Sequence, residues 1–184
     1  EVRQRGLADP HVDRRLHRVW AQGAARHLGC LDDHADLIHG LLALYEATFE
    51  PVWLEAARTT ADQMVQLFAD DAGAGFFYAG TDGEALIART RDIEDHPTPG
   101  GNSQAALVLL RLAALTGDGA LTTRATAALG LVAGEMTRYP QAFGTALVAL
   151  DLATAPDRVE VAIVGPLDAP ETTALLDVAR AAAG

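Results

Sequence analysis

The residues best able to do chemistry fall in two short stretches, Asp32-Asp33-His34 and Asp92 to Ser103 (DIEDHPTPGGNS). A carboxylate pair beside a histidine can accept and donate protons, so Asp33, His34 and Asp95 are the candidates for general acid–base work. Asp32 and Asp33 can both cap the helix that follows. One cap is enough, which leaves Asp33 free to face a ligand. Arg89 can clamp a substrate carboxylate or pair with Asp92 or Asp95. Gly100 and Gly101 permit close backbone approach, and Pro97 and Pro99 stiffen the loop before them. Asn102 and Ser103 open a helix whose free N–H groups can receive an oxyanion. With Asp92, Gly101 and an aromatic such as Phe77 for stacking, the set suits a small sugar or a hydroxylated anion. Each residue also has a plain use as a cap, an ion pair or a solvated loop charge.

Several function classes are excluded or disfavoured. No glycine spacing matches a phosphate or dinucleotide fingerprint, and the acidic loop has no second ligand group at helical spacing. Neither a metal nor a cofactor is expected. The single cysteine, Cys30, has no disulfide partner and reads as a small buried thiol. A net charge of −11 repels a phosphate backbone, which argues against nucleic acid. With no basic amphipathic stretch, no long apolar run and no signal peptide, the expectation is a cytoplasmic protein without a membrane partner.

The elements that must position these residues are mostly helices. Hydrophobic residues make up 49% of the 184 positions and aromatics 5%, with alanine and leucine dominant. Ile38, Leu41, Leu42, Tyr45 and Phe49 recur at helical spacing, with Leu37 and Leu44 widening the face. After Pro51, Trp53, Ala57, Ala61, Met64, Val65 and Phe68 form one stripe, so this helix has a wet side. From Asn102 only Gln104 and Arg111 interrupt an apolar surface, and Leu121, Ala125, Ala128, Leu129, Val132 and Met136 make the next stripe. The spacing predicts helices over 33–49, 52–69, 102–116, 119–137, 141–154 and 170–183. At an offset of 67, Ala47, Leu54, Ala61 and Val65 match Ala114, Leu121, Ala128 and Val132. Two hairpins, each an inner helix followed by an outer one, therefore repeat. His39 and Glu46 share a polar stripe with Asp32 and Asp36 and read as a solvated face.

Three strand regions are predicted besides. RLHRVW is a short strand or a short helix, turned afterwards by Gly23. FFYA and ALIAR flank GTDG as a β-hairpin within 75–90. RVEVAIVG followed by DAPETTALLDVARAAA reads as a C-terminal βα unit. The expected division is an entry segment 1–31, a helical-hairpin domain 32–155 and a βα extension 156–184.

The stretches LDDHADLIHGLLALYEATFEPVWLEAA, GAGFFYAGTDGEALIARTRDIEDHPTPGGNS and EVAIVG resemble the thioredoxin-domain-containing proteins of the spermatogenesis-associated type. Members of that family carry a thioredoxin-like domain followed by an α/α toroid related to N-acylglucosamine 2-epimerases and six-hairpin glycosidases. The resemblance implies a mainly α fold, a partial α/α toroid, in a fragment without the thioredoxin-like part. It implies no particular reaction. Where the family has a tyrosine this chain has His34, its DGA is DHP at Asp95 to Pro97, and its PSGNS is PTPGGNS.

In stacked hairpins the inner helices point the same way, so their starts share one rim about 8–10 Å apart. The loop before Asn102 should therefore wall the mouth beside Asp33. Two functions fit. One is a carbohydrate-enzyme-like toroid, epimerase- or hydrolase-like. The other is a non-catalytic helical module that packs on a thioredoxin-like domain of a longer chain or self-associates as a homo-oligomer, because an incomplete ring leaves apolar flanks.

Overall fold

The computed structural model describes residues 15–84, 87–156, 159, 161–166 and 168–183. In chain order the elements are β1 (His17–Ala21), β2 (Ala24–Leu28), α1 (Leu31–Thr48), α2 (Pro51–Phe68), α3 (Gly101–Thr116), α4 (Gly119–Arg138), α5 (Gly144–Thr154) and α6 (Pro170–Ala183). A 3₁₀ turn, Pro140–Ala142, precedes α5. The fold is mainly helical, with one small antiparallel sheet.

Each predicted stripe is buried where a partner helix lies. In α2 the buried positions are Ala57, Ala61, Met64 and Phe68, and in α4 they are Ala125, Ala128, Leu129, Val132 and Met136. Pro51 starts α2 at a position where its missing N–H costs nothing. Asp118 caps α4 by accepting from the Ala120 N–H at 2.9 Å. Gly117 ends α3 with a φ of 72°, a left-handed closure that glycine adopts without strain.

Helix α1 packs on α2 and on α3, and α3 packs in turn on α4 and α5. The inner helices α1, α3 and α5 are parallel neighbours, as two cross-links and a shared cap demonstrate. Gln104 of α3 meets His39 of α1 at 2.9 Å, and Arg111 donates to both carboxylate oxygens of Glu46 at 2.8 Å. At the other end Asp95 accepts from Gly100 N–H at 2.8 Å and from Thr145 N–H at 2.6 Å, tying the starts of α3 and α5. His39 and Glu46, expected on a solvated face, thus bind the next inner helix. Of the 16 residues of α3, 12 are buried, because α3 has a helix on each flank and another behind.

Of the segment RLHRVW, His17 to Trp20 are strand. The strand pairs with Ala24–Leu28 in a hairpin turned at Gln22 and Gly23, both with positive φ, as a two-residue hairpin turn requires.

Two expected β elements are corrected. The hairpin placed at 75–90 does not form among the described residues; residues 85 and 86 lie outside them. The backbone there is spent on the end of α2: Phe77 N–H donates to Phe68 O at 2.8 Å and Thr81 N–H to Leu67 O at 3.0 Å. Tyr78 O receives the Leu31 N–H at the start of α1, so the open backbone groups at two helix ends outcompete a second strand. The contacts that survive are one isolated bridge, Ala69 to Phe76, and a bond from Tyr78 N–H to Thr90 O. The βα unit keeps its helix, α6, but the described residues of 159–164 form no strand. No described strand pairs with this segment, and a strand without a neighbour has no ladder.

Candidate functional site

The site grows from the starts of α1 and α3. These lie side by side: a Cβ on Gly101 would meet the Leu31 side chain at 3.0 Å. Helix α1 begins two residues earlier than its apolar period indicates, because Cys30 is the cap. Asp33 reaches back to accept the Cys30 N–H at 2.7 Å, while the Cys30 side chain accepts from Asp33 N–H, a reciprocal capping box. The spare carboxylate is consequently Asp32.

Asp32 lines a shallow cleft of about 350 Å³ with Tyr78, Thr90, Arg91 and Asp92. Arg18, on β1, reaches over it, with its guanidinium 3.3 Å from the Tyr78 hydroxyl, 3.4 Å from Asp32 and 3.0 Å from Asp33. Burial and the neighbouring Asp33 charge raise the Asp32 carboxyl above its usual range. Burial likewise pushes the Tyr78 phenol up. Arg91 ion-pairs with Asp70. Two buried polar atoms of this wall have no hydrogen-bond partner among the described residues, Asp32 Oδ1 and Arg91 Nε.

The other expected site residues share the rim but are largely occupied. His34 is fully buried. Its Nδ1–H donates to Cys30 O at 2.8 Å, and its Nε2 accepts from Arg15 at 3.0 Å. Burial lowers its basicity, so it is a neutral structural imidazole wedged on the Phe68 ring. Asp95 spends both oxygens on the caps of α3 and α5. Asp92 accepts from Gly101 N–H at 3.0 Å while still lining the cleft.

Asn102 is not a cap; Gly100 is. Its side chain accepts from Phe76 N–H at 2.8 Å and donates to Phe76 O and Asp92 O at 2.9 Å, stitching the loops to α3. The reason for glycine at 100 is steric, since a Cβ would sit 2.6 Å from Glu94 O. Ser103 is buried, and its hydroxyl has no partner among the described residues. Arg89 makes no ion pair among the described residues; it donates to Ala79 O and Leu67 O and lies 4.3 Å over the Phe77 ring. Phe77 is therefore covered by Arg89 on one side and approached by Arg91 at 5.0 Å.

Sequence reasoning missed Asp32, Tyr78, Thr90, Arg91 and Arg18. Arg18 had a signal, the alternation of RLHRVW, which puts it on one face of a strand near Asp32-Asp33. Cys30, Asp32 and Asp33 offer ligand atoms within 4.8 Å of one another, the one such cluster among the described residues. The Asp33 oxygens are committed to a cap and to Arg18, and the adjacent guanidinium disfavours a cation there. Among the described residues no helix is long and apolar enough to cross a membrane.

No protein-family profile matches the chain. It is 35% identical over 149 residues to spermatogenesis-associated protein 20 of Homo sapiens and 36% identical to that of Rattus norvegicus. The matched region covers 80% of this chain and 19% of each relative, so the chain spans about a fifth of their length. The chain is thus similar, over most of its own length, to one segment of spermatogenesis-associated protein 20, in support of the resemblance drawn from its motifs.

Proposed function

We propose that the chain is a section of an α/α toroid whose rim cleft binds a small hydroxylated molecule, a sugar or a hydroxylated anion. The observation that carries this reading is the pair of unpartnered atoms in one cleft wall, the acceptor Oδ1 of Asp32 and the donor Nε of Arg91. A hydroxyl group both donates and accepts, so the hydroxyls of one ligand suit both kinds of atom. Unmet buried polar atoms cost about 1–3 kcal/mol each, which a ligand recovers on binding. The parallel inner helices and the repeated inner–outer hairpin support the toroid.

Within this reading Asp32 takes the proton-transfer role expected of Asp33, since its raised carboxyl exchanges protons closer to neutral pH. Arg91, Thr90 and Tyr78 hold the ligand. Asp33, His34, Asp95, Asn102 and Gly101 keep the two helix starts in register. The chemistry open to such a site is epimerase- or hydrolase-like.

The test is a titration with neutral monosaccharides and sugar phosphates, followed by amide shifts. We expect shifts concentrated at Tyr78, Thr90 and Asp92, and their loss in Asp32→Ala. A full set of probes that leaves those three amides unmoved removes this reading.

A second reading has its own support. Leu37 and Leu44 on α1, and Leu147, Val148 and Leu150 on α5, are 36–57% exposed. Such flanks suit a helical module that packs on a thioredoxin-like domain or on another copy. Mixing the chain with an isolated thioredoxin-like domain of a relative, and measuring sedimentation with and without it, distinguishes the two partners.

A further inference from the structure

The opposite end of the inner layer holds a larger cavity, about 860 Å³, well within the range that suits a small-molecule ligand. Its walls come from Tyr45 and Glu46 near the end of α1, from α3 between Leu107 and Leu115, from α5 between Val148 and Leu152, and from Val159, Val161 and Ile163. Parallel helices bring their C-terminal ends together here, each carrying roughly half a negative charge. None of the three has a basic residue in its last turn. Arg180 of α6 donates to Thr48 O at 3.1 Å and offsets the end of α1; α3 and α5 have no such contact among the described residues. Glu46 and Asp151 add carboxylates to the wall. Among the described residues the cation in the wall is Arg111, which is held by both oxygens of Glu46. Leu107, Leu152 and the ring of Tyr45 supply apolar and aromatic surface.

From this arrangement we infer a binding site for an organic cation with an apolar body, an alkyl amine or quaternary ammonium. The ammonium would lie near Asp151 and the ends of α3 and α5, within reach of the Tyr45 ring, with its alkyl part against Leu107 and Leu152. A carboxylate of the same length would meet those helix ends and Asp151 with the wrong sign. The site is 14 helical positions from Asp32 along α1, roughly 20 Å, and does not depend on the rim reading.

Three probes of equal length and different charge test the inference on the full chain: hexylammonium, hexanol and hexanoate. Binding is followed by calorimetry and by side-chain shifts of Tyr45, Leu107 and Leu152. We expect hexylammonium to bind tightest, hexanol more weakly and hexanoate least, with shifts at those three residues and none at Tyr78 or Thr90. Asp151→Asn, an exposed position, should weaken hexylammonium roughly three- to fivefold, the size of one exposed charge pair, and leave hexanol unchanged. Equal binding of all three probes would reduce the cavity to a generic apolar hole and overturn the inference. So would hexanoate binding as tightly as the amine, no binding at all, or an Asp151→Asn effect shared by hexanol. A failed rim titration leaves this result untouched, and the reverse also holds.

Discussion

Asp32 and Asp33 are chain neighbours with opposite duties, and their substitution should separate them. Asp33→Ala removes the acceptor for the Cys30 N–H and should cost about 1 kcal/mol in urea unfolding, the usual worth of a cap. Asp32→Asn should cost nothing, or stabilise, because the raised pKa means the folded state disfavours the charged form. His34 supplies the pH dependence. Its folded-state pKa is depressed below the ordinary 6.5, so the unfolded chain takes up a proton that the native one refuses. This contribution is complete above about pH 6.5 and declines as pH falls toward the folded value. Unfolding free energy measured from pH 7.5 to 5 should therefore drop in wild type, and His34→Gln should flatten that drop. The sequence could present Asp32 and Asp33 only as alternatives, since both are acidic and adjacent. A cysteine as helix cap lies outside the usual preferences, and that misplaced the start of α1 by two residues.

Among the elements, the helices were legible because burial period and breakers agreed: Pro51, Gly117 and the α4 stripe each fell where the chain turns or packs. The irregular stretch from Gly73 to Gly100 was not. Its residues favour strands locally, but their partners are the open carbonyls of α2 and the side chain of Asn102, neither of which a strand pattern shows. Asn102 is the hinge of that arrangement. Asn102→Ala strands the N–H and C=O of Phe76 in a buried setting and should cost about 2–4 kcal/mol; Asn102→Asp restores the acceptor only and should recover part. Chemical denaturation of the three proteins checks the order. The loop glycine gives a second check. Gly100→Ala would press a methyl to 2.6 Å from Glu94 O, so the loop must shift, and the amide resonances of Asp92 and Asp95 should move with it.

For the whole molecule, the layer of parallel inner helices was foreseeable from the repeat at 67 residues, whereas the links within it were not. His39 with Gln104 and Glu46 with Arg111 pair across 65 residues, and nothing in the polarity of either helix alone distinguishes a partner from a solvated face. The exposed flanks of α1 and α5 make a prediction at this scale. If they seek a second copy, light scattering should give a dimer or larger species at high concentration, and Leu44→Asp with Leu147→Asp should return a monomer with unchanged helicity. The near-total burial of α3 also has a consequence in time. A helix this apolar is complete at Thr116, yet its second flank, α5, starts only at Gly144. At translation rates of about 5–20 residues per second, α3 waits on the order of a few seconds with one side bare. During that wait the growing chain offers the apolar face of α3 to whatever stands at the ribosome exit.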